Sequence, residues 1–146
     1  MSRAVEEMNR WMLRARDAMD REYAQPLDVA KLARFAHVSE AHFIRTFRAT
    51  FGETPHRYLQ RRRVERAMFL LRETEGSVTD ICFEVGFTSL GSFSRMFHEI
   101  VGETPSGYRA RSRSAAAPTC FMMAWMRPSS FGEAPALGPP VALRPC

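Results

Sequence analysis

Two arginines, Arg45 and Arg95, occupy equivalent positions in a segment that occurs twice in the chain. Residues 43–63 return as residues 93–113, with ten of the twenty-one aligned positions identical. A repeat of this kind indicates that one supersecondary unit was used twice. Because an arginine guanidinium can bond bidentately to O6 and N7 of guanine, the repeated residue type suggests contact with DNA bases.

The helical period separates these arginines from the residues that pack. At 100° per residue, a helix starting at Glu40 places Phe43, Phe47 and Thr50 on one side, and the second copy places Phe93 and Phe97 there. The opposite faces carry side chains that can bond to base edges or phosphates, or touch a thymine methyl group. The predicted DNA-binding residues are Ser39, Glu40, Ala41, His42, Ile44, Arg45 and Arg48, then Leu90, Gly91, Ser92, Ser94, Arg95 and His98.

The elements that position these residues are predicted to be helices. An amphipathic helix over about 3–23 comes first, with Met8, Met12 and Met19 at helical spacing. A first helix-turn-helix at 28–52 follows, then a linker helix at 54–73, a second helix-turn-helix at 77–102 and a last helix at 104–112. Gly52 and Gly102 end the second helix of each pair, and Thr-Pro starts the next helix. The predicted fold is all-α with seven helices and a Pro-rich C-terminal tail.

A short helix joined to a second by a tight turn presents the second helix to the DNA major groove. The alternative is a plain helical bundle with duplicated helices, and the polar outward faces favour DNA binding. A linker of about twenty residues is roughly 30 Å long, close to the roughly 34 Å between successive major-groove segments. We therefore expect one monomer to occupy two adjacent grooves. Since the two faces differ, we expect an asymmetric site.

Charge and composition agree with a polyanionic partner. The net charge is +5 and the pI about 9.7, and residues 43–66 hold seven arginines against Glu53 and Glu65. The alternative is a solvated helix face, which is stronger for Arg61, Arg62 and Arg63, because consecutive residues point in different directions around a helix. At most two of the three can face one phosphate strand, and an internal pair with an acidic residue is a further alternative for Arg63.

Other classes of function have little support in the sequence. Cys82, Cys120 and Cys146 are few, odd in number and far apart in the sequence, so neither a disulfide framework nor a zinc site is indicated, and a reducing cytoplasm fits them. His42 and His98 have no second ligand at metal spacing. We find no carboxylate pair, nucleophile–base arrangement or phosphate-cradling loop, so we expect neither an enzyme nor a cofactor, and we expect no membrane segment.

A wider set of residues, in the repeat and beside it, forms one recognisable pattern: Ala33, Ser39, Phe43, Arg45, Phe47, Gly52, Pro55, Tyr58, Arg63, Ala67, Leu71, Ile81, Gly86, Phe87, Phe93, Ser94, Arg95, Phe97, Gly102, Pro105, Tyr108 and Arg109. Through these residues the chain resembles the AraC/XylS-type DNA-binding domain over about residues 5–113. The resemblance implies seven helices, two helix-turn-helix units on a long helix, and bacterial transcription regulation, often by activation through contact with RNA polymerase. Because the DNA-binding part begins almost at Met1, the chain looks like the stand-alone monomeric members of the family.

His37 departs from the repeat, because it stands where the second copy has Gly86. This turn position is expected to need a positive φ, which His tolerates at a cost of about 1 kcal/mol. The second recognition helix opens with Leu90, Gly91 and Ser92, which are poor in long polar side chains. We therefore expect base specificity mostly from the first copy, with Arg95 and phosphate contacts from the second.

The composition changes at residues 114–146, which we predict to be a C-terminal extension. An apolar run from Cys120 to Met126 is followed by a proline-rich stretch. The run could dock on the chain's own helices, bind a partner or small ligand, or belong to a disordered tail. A second hypothesis for function follows: an adaptor that holds RNA polymerase or another regulator and binds DNA mainly non-specifically. A weaker third is a small-molecule sensor built on the tail.

Overall fold

The computed structural model describes residues 2–114, and within that range the chain forms seven α-helices and no strand. The predicted all-α fold is confirmed. Residues 115–146 of the predicted extension lie outside the described residues. The helices are α1 (Arg3–Arg21), α2 (Val29–Phe35), α3 (Glu40–Phe51), α4 (Pro55–Glu73), α5 (Val78–Glu84) and α6 (Leu90–Val101), followed by α7 (105–114). One compact unit ends at Thr104, and α7 belongs to a second unit.

Hydroxyl side chains begin the helices on which the candidate site depends. The Ser39 hydroxyl accepts a hydrogen bond of 3.1 Å from the backbone N–H of His42 at the start of α3. Ser89 does the same for Ser92 at the start of α6, also at 3.1 Å, and Thr54 for Arg57 at the start of α4, at 3.2 Å. Each cap stabilises its helix by about 1 kcal/mol. Since α4 has Pro55 in its first turn, the predicted Thr-Pro start is confirmed.

The first core lies between α1, α2, α3 and the beginning of α4. Phe43 and Phe47 of α3 are fully buried, at 0% exposure, with Met12 and Met19 of α1 in the same cluster. Tyr58 of α4 completes the contact, with its ring 5.7 Å from that of Phe47. The phenylalanines of α3 therefore fix the face that it turns inward.

The second core repeats this arrangement around α5 and α6. Phe93 and Phe97 of α6 are fully buried at 0% exposure, and their rings are 5.7 Å apart. Phe87 packs against Phe93 at 5.3 Å. Because α4 contacts α1 and α3 as well as α5 and α6, this one helix carries both helix-turn-helix pairs: α2 with α3, and α5 with α6.

Two details of the predicted elements were wrong. Thr50 was assigned to the packed side of α3, but it is exposed, and its hydroxyl donates a 2.8 Å hydrogen bond to the Thr46 carbonyl. The helical period holds at Thr50, but the last turn of α3 reaches the edge of the core. In that turn Phe51, and not Thr50, packs against the core. Likewise α1 ends at Arg21 rather than about residue 23, because the chain turns and the Gln25 N–H bonds to the Glu22 carbonyl at 2.9 Å.

No helix among residues 2–114 has both the length and the apolar character that crossing a membrane requires.

Candidate nucleic-acid interface

The predicted DNA-binding residues of α3 all lie on its solvent-facing side. This side results from the burial of Phe43 and Phe47, which directs the intervening positions outward. Neighbouring positions on this face combine charged, hydrogen-bonding and apolar groups, as a base-reading surface requires. The exposed residues are Ser39, Glu40, Ala41, His42, Ile44, Arg45 and Arg48.

Arg45 and Arg48 are the cations of this surface. Within residues 2–114, neither guanidinium has a hydrogen bond or an ion pair with another described residue. An arginine in this state keeps all its N–H donors available for a ligand. The two arginines could therefore bond to a base edge or a phosphate without breaking an existing contact.

The corresponding face of α6 is smaller and carries fewer charges. Leu90, Gly91, Ser92, Arg95 and His98 are exposed, and Ser94 is half-buried. The Arg95 side chain extends back toward the start of the helix, where its Nη2 lies 3.4 Å from the Ser92 hydroxyl. A Cβ added at Gly91 would be 3.7 Å from Arg95 Nη1, so the guanidinium lies over the glycine. Arg95 is thus the principal cation of this face.

The turns that set the angle within each pair have the same backbone form. His37 has φ of 59° and Gly86 has φ of 106°, so the predicted positive φ at His37 is confirmed. In each turn the next residue closes a bond of 3.1 Å to a carbonyl five residues back, Val38 to Ala33 and Phe87 to Cys82. The His37 ring also meets Trp11 edge-on, with the ring centroids 6.1 Å apart.

The arginines of the linker helix differ from those of α3, because they are engaged within the protein. Arg61 forms ion pairs of 2.6 Å with both Glu53 and Glu65, and its hydrogen bond to Glu53 contributes most to raising its pKa. Arg62 pairs with Asp20 at 3.0 Å and with Glu65 at 2.6 Å. The arginine-rich stretch therefore overstates the positive charge available to a nucleic acid.

Among residues 2–114, Arg63 pairs with main-chain carbonyls and with no acidic side chain, so the suggested internal acidic partner was wrong. Its Nε donates to the Tyr23 carbonyl at 2.7 Å, and its Nη2 donates to the Gln25 carbonyl at 2.8 Å. Burial lowers the pKa of Arg63. The side chain thus joins α4 to the main chain that connects α1 and α2.

Sequence reasoning also missed a contact between α4 and the second recognition helix. Arg57 Nη1 lies 3.1 Å from the Met96 sulfur and 3.6 Å from the Glu99 carboxylate. The opposite charges of Arg57 and Glu99 are visible in the sequence, but their separation along the chain gives no sign that they meet. This contact adds a polar attachment of α6 to the linker helix.

Comparison with known proteins places this arrangement among DNA-binding regulators. A family model described as a helix-turn-helix domain matches residues 32–111. The regulatory protein SoxS of Salmonella typhimurium is 34% identical over 93 residues, which are 64% of this chain and 87% of SoxS. The MmsAB operon regulatory protein of Pseudomonas aeruginosa is 34% identical over 87 residues, 60% of this chain and 28% of that protein.

A solved structure shows the same fold. The DNA-binding domain of the transcriptional factor AdpA, in complex with a target DNA, is 29% identical with a TM-score of 0.67, and the match covers 71% of this chain and 94% of that domain. Several curated relatives are much longer, and the chain spans 12% to 42% of the length of four of them.

Proposed function

The chain belongs to the AraC/XylS-type family of helix-turn-helix transcriptional regulators, and on that premise we propose that it binds a specific, asymmetric duplex site as a monomer. In this proposal α3 and α6 enter two adjacent major-groove segments. Regulation of transcription then follows from where the site lies relative to a promoter.

The main support is the contrast between the two sides of α3 and α6. Each helix buries two phenylalanines completely and exposes residues that can bond to bases or phosphates. Each is preceded by a short helix and a turn with a positive φ, which is the form in which a helix-turn-helix presents its second helix to DNA.

The length of α4 supports the use of two grooves by one chain. Its 19 residues correspond to about 28 Å, near the roughly 34 Å that separates successive major-groove segments on one side of B-DNA. AdpA supports a DNA ligand, since its similar domain was solved in complex with a target DNA.

We assign most of the base specificity to α3. Arg45 is suited to guanine, and Ala41 and Ile44 to thymine methyl groups. The shorter side chains of α6 leave Arg95 as its base-reading residue, with Ser92 and His98 at phosphates. Because the two faces are unlike, the two halves of the site must differ in sequence.

We also propose the extent of the DNA-binding domain, residues 1–113, with a C-terminal extension at 114–146. We further propose that it works in the cytoplasm, and an activating role is proposed from the family resemblance alone. The family consists of DNA-binding regulators rather than enzymes.

Selection from random duplexes with the purified chain tests the proposal. We expect one enriched, non-palindromic sequence that spans about two helical turns, bound by one protein per duplex in analytical ultracentrifugation. Enrichment of a palindrome, or two chains per duplex, would contradict monomeric binding. Equal affinity for selected and scrambled duplexes at moderate salt would contradict sequence-specific recognition.

An adaptor that contacts RNA polymerase or another regulator is the second candidate. It is favoured by large apolar side chains exposed outside the two recognition helices, Phe35 at 56%, Phe69 at 42% and Phe83 at 52%, since exposed apolar groups can mark protein contacts. Deleting residues 118–146 and replacing Phe69 by serine would test it. Loss of transcriptional response with unchanged site-specific DNA binding, in either variant, would support this candidate. An unchanged response in both variants would exclude residues 118–146 and Phe69 as the contact surface.

A further inference from the structure

We propose that Arg63 is a positioning residue that fixes the distance and rotation between α3 and α6, and thereby the spacing between half-sites that the protein accepts. The inference rests on the proposed two-groove binding. It adds a determinant of specificity that touches no DNA.

On one side, Arg63 is bonded to the first helix-turn-helix through the connector between α1 and α2. Its two hydrogen bonds, 2.7 Å and 2.8 Å long, end on the carbonyls of Tyr23 and Gln25. Tyr23 and Leu27 of the same connector pack against the first core. A movement of this connector relative to α4 would therefore break bonds to Arg63.

On its other side, Arg63 lies against the turn of the second helix-turn-helix. Its Cζ is 5.9 Å from the centroid of the Phe87 ring, and Phe87 packs on Phe93 of α6. A Cβ added at Gly86 would come within 2.8 Å of Arg63 Nε and 3.0 Å of the Ala24 Cα and carbonyl oxygen. Contact is thus continuous from the connector through the guanidinium to α6.

The chemistry of this place requires an arginine rather than any cation. The acceptors are two main-chain carbonyls, and no carboxylate pairs with Arg63 among the described residues. A planar guanidinium can donate along one edge to both carbonyls while its surface lies near an aromatic ring, whereas a lysine ammonium is a compact charge on a flexible stem. The role of Arg63 is therefore geometric.

A rigid connection between the recognition helices has a direct consequence for DNA. One base pair inserted between half-sites moves the second half-site by about 3.4 Å along the duplex and rotates it by about 34°. A protein whose helices keep a fixed relation would lose contacts in one of the two grooves. A protein with a loosened connection could follow the displaced half-site.

The first experiment measures Kd for the selected site and for versions with one base pair inserted or deleted at its centre. We expect the wild-type protein to bind the altered sites at least about tenfold more weakly, and Arg63→Met to reduce that ratio to about twofold. Arg63→Lys should behave like Arg63→Met, although it keeps the charge. Arg66→Met is the matched control, because Arg66 lies on the same helix and is exposed, with its guanidinium over the Phe69 ring.

A pair of glycine substitutions tests the same contact without changing a charge. Gly86 and Gly102 both have positive φ, 106° and 93°, but an added Cβ at Gly102 meets nothing within 4 Å. Gly86→Ala and Gly102→Ala therefore share the backbone strain, and only the former displaces Arg63. Gly86→Ala is expected to relax the spacing preference, and Gly102→Ala to retain it. Thermal melts identify the temperature at which every variant is folded.

A measurement without DNA separates this inference from the proposed function. Spin labels at positions 48 and 98, in a chain with Cys120 and Cys146 replaced by serine, report the distance between α3 and α6. We expect a broader distance distribution in Arg63→Met and Arg63→Lys than in Arg66→Met. Equal distributions, or an unchanged spacing ratio in folded variants, would overturn the role of Arg63. Failure of the wild-type protein to select a two-part site would instead contradict the proposed function.

Discussion

The Tyr58 hydroxyl donates a 2.8 Å hydrogen bond to the Asp20 carboxylate, which joins the linker helix to α1. Arg62 bonds to the same carboxylate oxygen at 3.0 Å, so Asp20 receives donors from two turns of α4. Burial of the phenol, together with the bond to Asp20, raises the pKa of Tyr58 to about 12. The contact therefore requires a neutral phenol.

Tyr58→Phe should lower the free energy of unfolding by about 1 kcal/mol, the typical net value of one hydrogen bond. The ring contact with Phe47 is kept, because phenylalanine has the same ring. Urea unfolding followed by circular dichroism measures the difference between the two proteins at pH 7. A difference below about 0.3 kcal/mol would contradict a stabilising role for the Tyr58–Asp20 bond.

The same pair of proteins tests the titration of Tyr58. Its pKa in the folded protein, about 12, is above the value near 10 of an unfolded chain, so the stability that depends on the neutral phenol is complete below pH 10. It should be lost as the pH rises from 10 to 12, because only the unfolded chain ionises there. The wild-type protein should lose stability faster than Tyr58→Phe over this interval, whereas parallel curves would contradict the raised pKa.

The ion pair between Arg61 and Glu53 should contribute to stability and not to base recognition. Both side chains are partly shielded, with exposures of 35% and 20%, so we expect a coupling free energy of about 1 kcal/mol. A double-mutant cycle with Arg61→Met and Glu53→Gln, measured by urea unfolding, gives this value. A coupling free energy of zero would contradict the predicted contribution. The base preference of Arg61→Met should equal that of the wild-type protein.

Arg45→Ala should reduce discrimination at one base pair of the site. The loss expected for a bidentate contact to guanine is about 1 to 3 kcal/mol, measured as Kd for the selected duplex against all substitutions at each position. Arg10→Ala is the control, since Arg10 is an exposed arginine on α1 and its loss changes the net charge equally. If both variants keep the wild-type preference at every position, Arg45 does not read a base.

Arg48→Ala should lower affinity by a similar factor for every sequence if Arg48 contacts a phosphate. Each neutralised phosphate contributes roughly 0.9 to the slope of log K against log salt concentration, so the slope should fall by about that amount. Anisotropy titrations at several salt concentrations measure it. An unchanged slope would exclude a phosphate contact, and a loss confined to one base pair would assign Arg48 to a base edge.

Most of the fold could be predicted from local signals. Ser39, Thr54, Ser77 and Gly52 each determine where a helix begins or ends through atoms within four residues along the chain. The phenylalanines of α3 and α6 are buried where the helical period placed them. The family resemblance, which the comparisons confirm, rests largely on these same positions.

The contacts of the linker arginines could not be predicted in this way. Arg63 bonds to carbonyl oxygens that every residue possesses, so no residue type marks its partners. Arg61 pairs with Glu53 and Glu65, which are near it in the sequence. Asp20 and Arg62, in contrast, meet only because α1 crosses α4. The base-reading roles of Arg45 and Arg95 stay predictions.

The different surroundings of His37 and Gly86 have a consequence for mutation of the two turns. The His37 side chain is exposed and touches Trp11 at its edge, whereas Gly86 is enclosed by Arg63 and Ala24. In a saturation library screened for binding to the selected site, position 37 should accept asparagine, aspartate and glycine, and position 86 should favour glycine over every residue that has a Cβ. The two turns therefore differ in their tolerance of mutation, and substitutions should accumulate more often at position 37 than at position 86.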